Sequence, residues 1–382
     1  MTLHSQGLRP LLFIMNDINS IAFALDPANV PSFLLDWELT KLCNLDCSYC
    51  ATGIEGGHDN TTQHPLLSDC LDSIDFMYQY VDLYMQHRKP NQRKVILNIY
   101  GGESLFHPEI VEILKQVHER YQQYSNSWHL TVTCTTNAVI GQNLLEKILP
   151  FIDEFTVTFH AEALEKQRQQ CLANLNSIHQ RAVRVKCVVL MHNDATMWMR
   201  CLDAIEFCKQ HNIRHIVKPL DNMDSKWAYD SNQIQFLRPG EQKIEFVKAG
   251  TSISQGRQCC GGRLLSTNGN LKSRDTFVPK QDFRGWSCSV NWFFLFVRQL
   301  DQAVYTNKDC MTSTTGRIEP LGHVGSNIIE ILRKQFEDKS LPVIKCVKPI
   351  CRCGYCAPKA ADSEDFKNLM SRHTIDNVLL IN

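Results

Sequence analysis

The sequence predicts an α/β fold: six consecutive strand–helix units followed by a small C-terminal cysteine-rich module. Three observations predict it. Over roughly the first 220 residues, apolar strand-like runs alternate with longer helical patterns. The units recur at roughly thirty residues, long enough for a crossover between parallel strands. Finally, eight of the 17 cysteines crowd into the stretch from Cys259 to Cys356.

The elements follow in order. FLLDWELT (Phe33–Thr40) is the first strand and ends just before a group of cysteines. Leu66–Gln86 carries apolar residues at helical spacing. KVILNIYGG (Lys94–Gly102) is a strand running into a glycine turn, and His107–Tyr124 a helix with Pro108 near its start, where proline is tolerated. Trp128–Ala138 is a strand and Gln142–Ile148 a short helix. Three further strands, Glu154–Glu162, Val183–Asp194 and Ile213–Asp221, are separated by helices over Leu164–His179 and Met197–Gln210. Six strands are fewer than the eight of a closed barrel, so the pattern alone fits a partial barrel or an open doubly wound sheet. Either architecture gathers function at the C-terminal strand ends. There lie the first cysteines, YGGES, CTTN, FHAE, LMHND and KPLDN.

Beyond Asp221 the rhythm breaks. Residues 222–257 are polar and irregular, with QIQFL (Gln233–Leu237) as a strand candidate. Val290–Asn307 reads as a β-hairpin around RQLDQ, and Asn327–Phe336 as an amphipathic helix. The chain thus divides into an N-terminal extension (1–32), a core (33–221), an irregular segment (222–257), a cysteine-rich module (258–361) and a tail (362–382).

Bulk composition narrows the class. At 382 residues and 43% hydrophobic, the chain can bury a large core. Forty basic and forty acidic side chains cancel, which disfavours a nucleic-acid partner. The one basic run, QHRKPNQRK (Gln86–Lys94), reads as a solvated helix end and loop. No window approaches the ~18 apolar residues of a membrane span. The apolar run Leu11–Met15 is too short for a signal peptide, and Met15 offers a second start. The expectation is a cytoplasmic protein with reduced cysteines.

Cys43, Cys47 and Cys50 form C-x3-C-x2-C on the first strand-end loop. Three thiolates are one ligand short of a closed zinc site, which His58 or a distant cysteine would complete. The same three can also hold three irons of a [4Fe–4S] cluster and leave the fourth iron open. Cys70, Cys171, Cys187, Cys201 and Cys208 read as buried structural thiols. His160 and His192 end strands, where a contact to ligand competes with a satisfied structural hydrogen bond.

The triplet, with aromatic Tyr49 before its last cysteine, resembles the signature of the radical S-adenosylmethionine superfamily. The resemblance covers roughly Phe33–Asp221 and implies a partial (β/α)6 TIM-like barrel. It implies that Cys43, Cys47 and Cys50 bind a [4Fe–4S] cluster whose open iron takes the amino and carboxylate groups of S-adenosylmethionine. An electron from the cluster then yields a 5′-deoxyadenosyl radical that abstracts a substrate hydrogen. Gly101, Gly102 and Glu103 resemble the family's GGE turn, which receives the methionine ammonium. Thr135, Thr136 and Asn137 resemble the polar strand end near ribose and carboxylate, with Asn137 the cofactor contact. Thr158–Glu162 matches the next polar strand end loosely, and VLMHND and VKPL resemble the strands flanking adenine. A reductant such as flavodoxin or ferredoxin is implied as a partner.

Cys259, Cys288, Cys310, Cys346, Cys351, Cys353 and Cys356 resemble, in position and density, the SPASM and twitch extensions of that superfamily. At least one auxiliary iron–sulfur cluster is the expectation, a zinc ribbon the alternative. The closing spacing C-x4-C-x-C-x2-C departs from the family pattern, and Gln302 stands where the family hairpin has glycine. Members with such extensions often modify peptides or proteins, so a peptide substrate is expected first and a small molecule or nucleoside second. A metal-binding protein without catalysis is the third reading.

Overall fold

A computed structural model describes residues 21–22, 32–50, 63–220, 229–237, 264–265, 271–272, 283–306, 320–338, 340, 342–346, 359–361 and 363–373. Six parallel strands stand side by side in chain order: β1 (Phe33–Thr40), β2 (Lys94–Gly101), β3 (His129–Thr136), β4 (Glu154–Phe159), β5 (Arg184–Met191) and β6 (His215–Pro219). The crossovers contain α1 (Leu67–Met85), α2 (Ile110–Tyr121), α3 (Gln142–Ile148), α4 (Glu165–Gln180) and α5 (Ala195–Gln210). Right-handed crossovers between strands in unbroken order put every helix on one face. A doubly wound sheet needs a reversal of strand order. Among the described residues these six strands show none, so the partial-barrel alternative holds.

Burial along the strands confirms the two faces. Phe33, Leu35, Trp37 and Leu39 on β1 are buried, as are Val95, Leu97 and Ile99 on β2 and Phe155, Val157 and Phe159 on β4. The register brings Leu35 beside Leu97 and Leu97 beside Val132, making one apolar layer against the helices. The opposite face is polar. Asn98 Nδ2 donates to Asp36 Oδ1 (2.8 Å), and Thr133 and Thr135 donate to Asn98 Oδ1 at 3.2 and 3.4 Å. Lys186 Nζ is 2.8 Å from Glu154 Oε1 on the same face. Asn98, Thr135, Thr156 and Lys186 are only half-buried, so the barrel interior keeps solvent contact.

The C-terminal hairpin forms where expected, as β7 (Phe294–Arg298) and β8 (Ala303–Tyr305). It does not stand apart from the core. β7 pairs parallel with β1, Phe294 beside Leu34 and Arg298 beside Glu38, extending the sheet at its first strand. Gln299 fixes the junction, its amide donating to Glu38 O (3.0 Å) and its side chain accepting from Trp37 Nε1 (2.9 Å). Gln302 takes a left-handed conformation (φ 54°), the backbone for which glycine is favoured. The amphipathic helix Ile328–Glu337 packs on α1 through Phe336, whose ring lies 5.3 Å from Tyr84 and 4.3 Å from His87. A separate antiparallel sheet joins Ile21–Ala22, Lys359–Ala360, Ser287–Cys288 and Ile344–Lys345 in that order.

Two sequence expectations are corrected. Ser231–Leu237, which contains QIQFL, is a helix rather than a strand; Asp230 Oδ1 caps it by accepting from Asn232 N (2.8 Å) and Gln233 N (2.9 Å). In the basic run after α1, Arg88 is buried, not solvated. Its guanidinium donates to Trp292 O and lies 5.1 Å from the Phe293 ring and 5.8 Å from Phe33. It ties the end of α1 to the segment leading into β7. Arg88→Ala is expected to cost about 2–4 kcal/mol in urea unfolding, because a carbonyl and a packed stem are lost together. A loss under about 0.5 kcal/mol, the usual surface effect, would refute that role.

Candidate functional site

The loop after β1 carries the three cysteines, and the ends of β2 to β5 surround it. The glycine turn comes closest. Gly102 N donates to Thr40 O (2.7 Å) and Glu103 N to Leu42 O (2.8 Å). A Cβ on Gly101 would lie 2.1 Å from Thr40 O, and one on Gly102 would lie 2.4 Å from both Lys41 O and Leu42 O. Only glycine lets these two backbones touch. Both glycines remain half-exposed.

Glu103 and Asn137 behave differently from the glycines. Glu103 is 1% exposed. Its carboxylate accepts from Leu105 N (3.0 Å), Thr136 Oγ1 (2.8 Å) and Asn137 N (2.6 Å). Burial pushes this carboxyl up to about 7, opposed by those three donors. Asn137, also buried, donates to Asn44 Oδ1 (2.7 Å) and toward Cys43 Sγ (3.8 Å), while its own oxygen accepts from Val139 N (2.8 Å). Asn44 Nδ2 returns a bond to Val139 O (2.7 Å). The end of β3 therefore holds the cysteine loop from below. Asn44 was not singled out in the sequence, although it sits inside the motif.

The other side of the loop meets β4 and β5. Glu162 accepts from Ser48 N and Ser48 Oγ, both at 2.5 Å, pinning the loop between Cys47 and Cys50. His192 Nδ1 accepts from Asp194 N (3.0 Å), so its Nε2 carries the proton and donates to Glu162 Oε1 (3.1 Å). His160 Nδ1 lies 2.9 Å from the Tyr49 hydroxyl and 3.4 Å from Cys47 Sγ, its ring parallel to that of Tyr49. Burial holds His160 down at about 4, so it is neutral. Both histidines noted at strand ends thus reach the cysteine loop. Ser48 is the contact sequence reasoning missed.

All three thiols are half-buried. Burial pushes Cys43 up to about 11 and Cys47 up to about 12; the neighbouring thiols add to both shifts. The three cysteines lie within eight residues of one another on the loop that follows β1. Among the described residues, no group of three His, Cys, Asp or Glu side chains is gathered to hold a single metal ion. In a cluster each thiolate takes a different iron, so three cysteines on one loop can serve it without converging on a single ion. The donor set also fits chemically, being three soft thiolates with no competing carboxylate among them. Cys70, Cys171, Cys187, Cys201 and Cys208 are buried in the core, as expected of structural thiols.

Of the C-terminal cysteines, Cys259, Cys310, Cys351, Cys353 and Cys356 lie outside the described residues, as does His58. Cys288 and Cys346 are described. Cys288 pairs with Ile344, and Cys346 N continues that ladder onto Trp286 O (2.8 Å). Residues two apart share a face, so these cysteines are diagonal neighbours on one face of the small sheet. Cys288 Sγ accepts from the buried Lys359 Nζ at 2.9 Å.

No family model matches the chain, and no curated protein matches it. Among solved structures it is similar to native anSMEcpe with bound AdoMet (11% identity, TM-score 0.47) over 79% of this chain and 80% of that one. It is similar over the same shares to native anSMEcpe with bound AdoMet and Cp18Cys peptide (12% identity, TM-score 0.45). A third similar structure is 5-methylcytosine deaminase from Klebsiella pneumoniae liganded with 5-fluorocytosine (13% identity, TM-score 0.33), over 57% of this chain and 51% of that one. Among the described residues no helix is long and apolar enough to cross a membrane.

Proposed function

We propose that this chain is a radical S-adenosylmethionine enzyme acting in the cytoplasm on a peptide or protein side chain. One observation carries the reading: three half-buried thiols on one strand-end loop, clamped by a glycine turn no other residue type can form. Cys43, Cys47 and Cys50 would hold a [4Fe–4S] cluster. When bound, such a cluster supplies the electron that cleaves S-adenosylmethionine into methionine and a hydrogen-abstracting 5′-deoxyadenosyl radical.

The chain's own residues bind, orient and shield. Gly101 and Gly102 bring half-exposed backbone within reach of the methionine end. Glu103 and Asn137, buried as they are, support that contact chiefly by fixing the loop and the β3 end. The polar barrel face of Asn98, Thr135 and Thr156 offers hydrogen-bonding partners to a nucleoside. Exposed Leu66, Phe106 and Leu164 follow the strand ends and suit an apolar side chain of a peptide. A small electron-carrier protein of the flavodoxin or ferredoxin kind would deliver the electron. Cys288 and Cys346 are the described candidates for an auxiliary cluster, and their shared face supports that role. Cys259, Cys310, Cys351, Cys353 and Cys356 remain candidates by sequence.

The test is anaerobic reconstitution of wild type and of the Cys43→Ala/Cys47→Ala/Cys50→Ala variant, reading iron, sulfide and 5′-deoxyadenosine. Wild type should cleave S-adenosylmethionine under reduction, and the variant should lose about four irons and all cleavage. Zinc in place of iron in wild type would overturn the reading.

A further inference from the structure

Cys47 differs from Cys43 in what faces its sulfur. The Tyr49 hydroxyl hydrogen-bonds it, and His160 Nδ1 lies 2.9 Å from that hydroxyl and 3.4 Å from the sulfur. Cys43 Sγ instead meets the Leu45 amide (3.4 Å) and the distant Asn137 amide (3.8 Å). Tyr49 is 8% exposed and packed beside Leu220, so its hydroxyl cannot swing to water.

The protons of this triangle can be assigned. A metal-bound thiolate is only an acceptor. If His160 Nδ1 were bare, the single Tyr49 proton would face two acceptors and satisfy one. With the proton on Nδ1, both bonds form in series: Nδ1–H to the Tyr49 oxygen, and Tyr49 O–H to the sulfur. The 2.9 Å spacing suits the first bond. Each bond polarises the next, so His160 strengthens what Tyr49 donates. Among the described residues His160 Nε2 has no protein partner, so nothing opposes that tautomer.

Resting on the cluster reading above, we propose that Tyr49, backed by His160, is a hydrogen-bond donor to the Cys47 thiolate that raises the cluster's reduction potential. A donor at a ligand sulfur stabilises the more negative, reduced state. Tyr49 is thereby a positioning residue, and His160 acts through it. The aromatic at this place is then needed for its hydroxyl as well as its ring.

The experiment is a redox titration, followed by the electron paramagnetic resonance of the reduced cluster, on reconstituted wild type, Tyr49→Phe, His160→Phe and the double variant. Iron is counted on each sample. Phenylalanine keeps the Tyr49 ring and removes only the donor. Tyr49→Phe should keep its iron, and its reduced-to-oxidised ratio at a fixed potential should fall about tenfold, 59 mV for one electron. His160→Phe should fall by less. Adding it to Tyr49→Phe should change nothing more, because the two act in series. Full iron with an unmoved potential in Tyr49→Phe overturns the proposal, as does an additive double variant. If Tyr49→Phe fails to load iron, His160→Phe alone decides, by whether its potential drops. Absence of iron from wild type is a different failure and strikes the cluster reading itself.

Discussion

Gly102→Ala is expected to abolish iron retention and to destabilise the chain by about 2–4 kcal/mol. The added Cβ would meet Leu42 O and Lys41 O at 2.4 Å and Leu42 C at 2.7 Å. All three are backbone atoms, so no flexible side chain can turn aside. The loop must retreat, and the two bonds that dock it, Gly102 N to Thr40 O and Glu103 N to Leu42 O, lengthen together. Cys43 begins one residue beyond Leu42, so its sulfur moves with the retreat. Gly101→Ala should behave likewise, its Cβ falling 2.1 Å from Thr40 O. Gly141→Ala is the control: nothing lies within 4 Å of its Cβ, and the loss of a favoured helix cap is offset by a stiffer unfolded chain, so a change under about 1 kcal/mol is expected. Urea unfolding and iron analysis on the three variants check this. A Gly102→Ala chain that unfolds like wild type and holds its iron would dissolve the clamp argument.

The clamp also explains which parts of the site the sequence reveals. Cys43, Cys47 and Cys50 are local, and glycines at the end of a strand already imply close backbone contact. The six strands could be read because their helix-facing residues are apolar, and β4 shows it as plain alternation: Phe155, Val157 and Phe159 against Thr156 and Thr158. Pairings across long separations are less legible. β7 joins β1 across some 260 residues, and nothing in either strand names its neighbour. One hint was available: FLFV is an unbroken apolar run, the mark of a strand covered on both faces, and in the structure every residue of FLFVR is buried. In QIQFL, Ile234 and Phe236 alternate as in a strand, but Asp230 just upstream is a helix cap, and the cap decides. Arg88 looked solvated because charge in a polar run usually is. Its burial depends on Phe293 and Trp292, residues contributed from far along the chain. Ser48 and Asn44 carry no signal beyond lying between the cysteines.

Glu103 should make stability fall with pH, the reverse of the usual carboxylate. Its carboxyl ionises near 4.5 when the chain is unfolded and is pushed up to about 7 in the fold, chiefly by burial. Between those values the folded chain holds a proton that the unfolded chain has released. Folding then takes up a proton, so stability drops as pH rises through that window. It is fully present below pH 4.5 and lost above 7, a difference of about 3 kcal/mol. The three donors from Leu105, Thr136 and Asn137 keep the ionised form tolerable and prevent a larger penalty. Glu103→Gln removes the titration while keeping the shape. Subtracting its urea-unfolding free energy from that of wild type should leave a curve that declines by about 2–3 kcal/mol between pH 5 and pH 8. A flat difference curve would mean that Glu103 is ionised throughout. The same carboxylate orders Asn137, which in turn holds Asn44 and approaches Cys43. Its ionisation state therefore bears on the cysteine loop as well as on stability, and the loop amides of residues 43–47 should exchange hydrogen faster in the region of pH 8 than at pH 5 once intrinsic rates are removed.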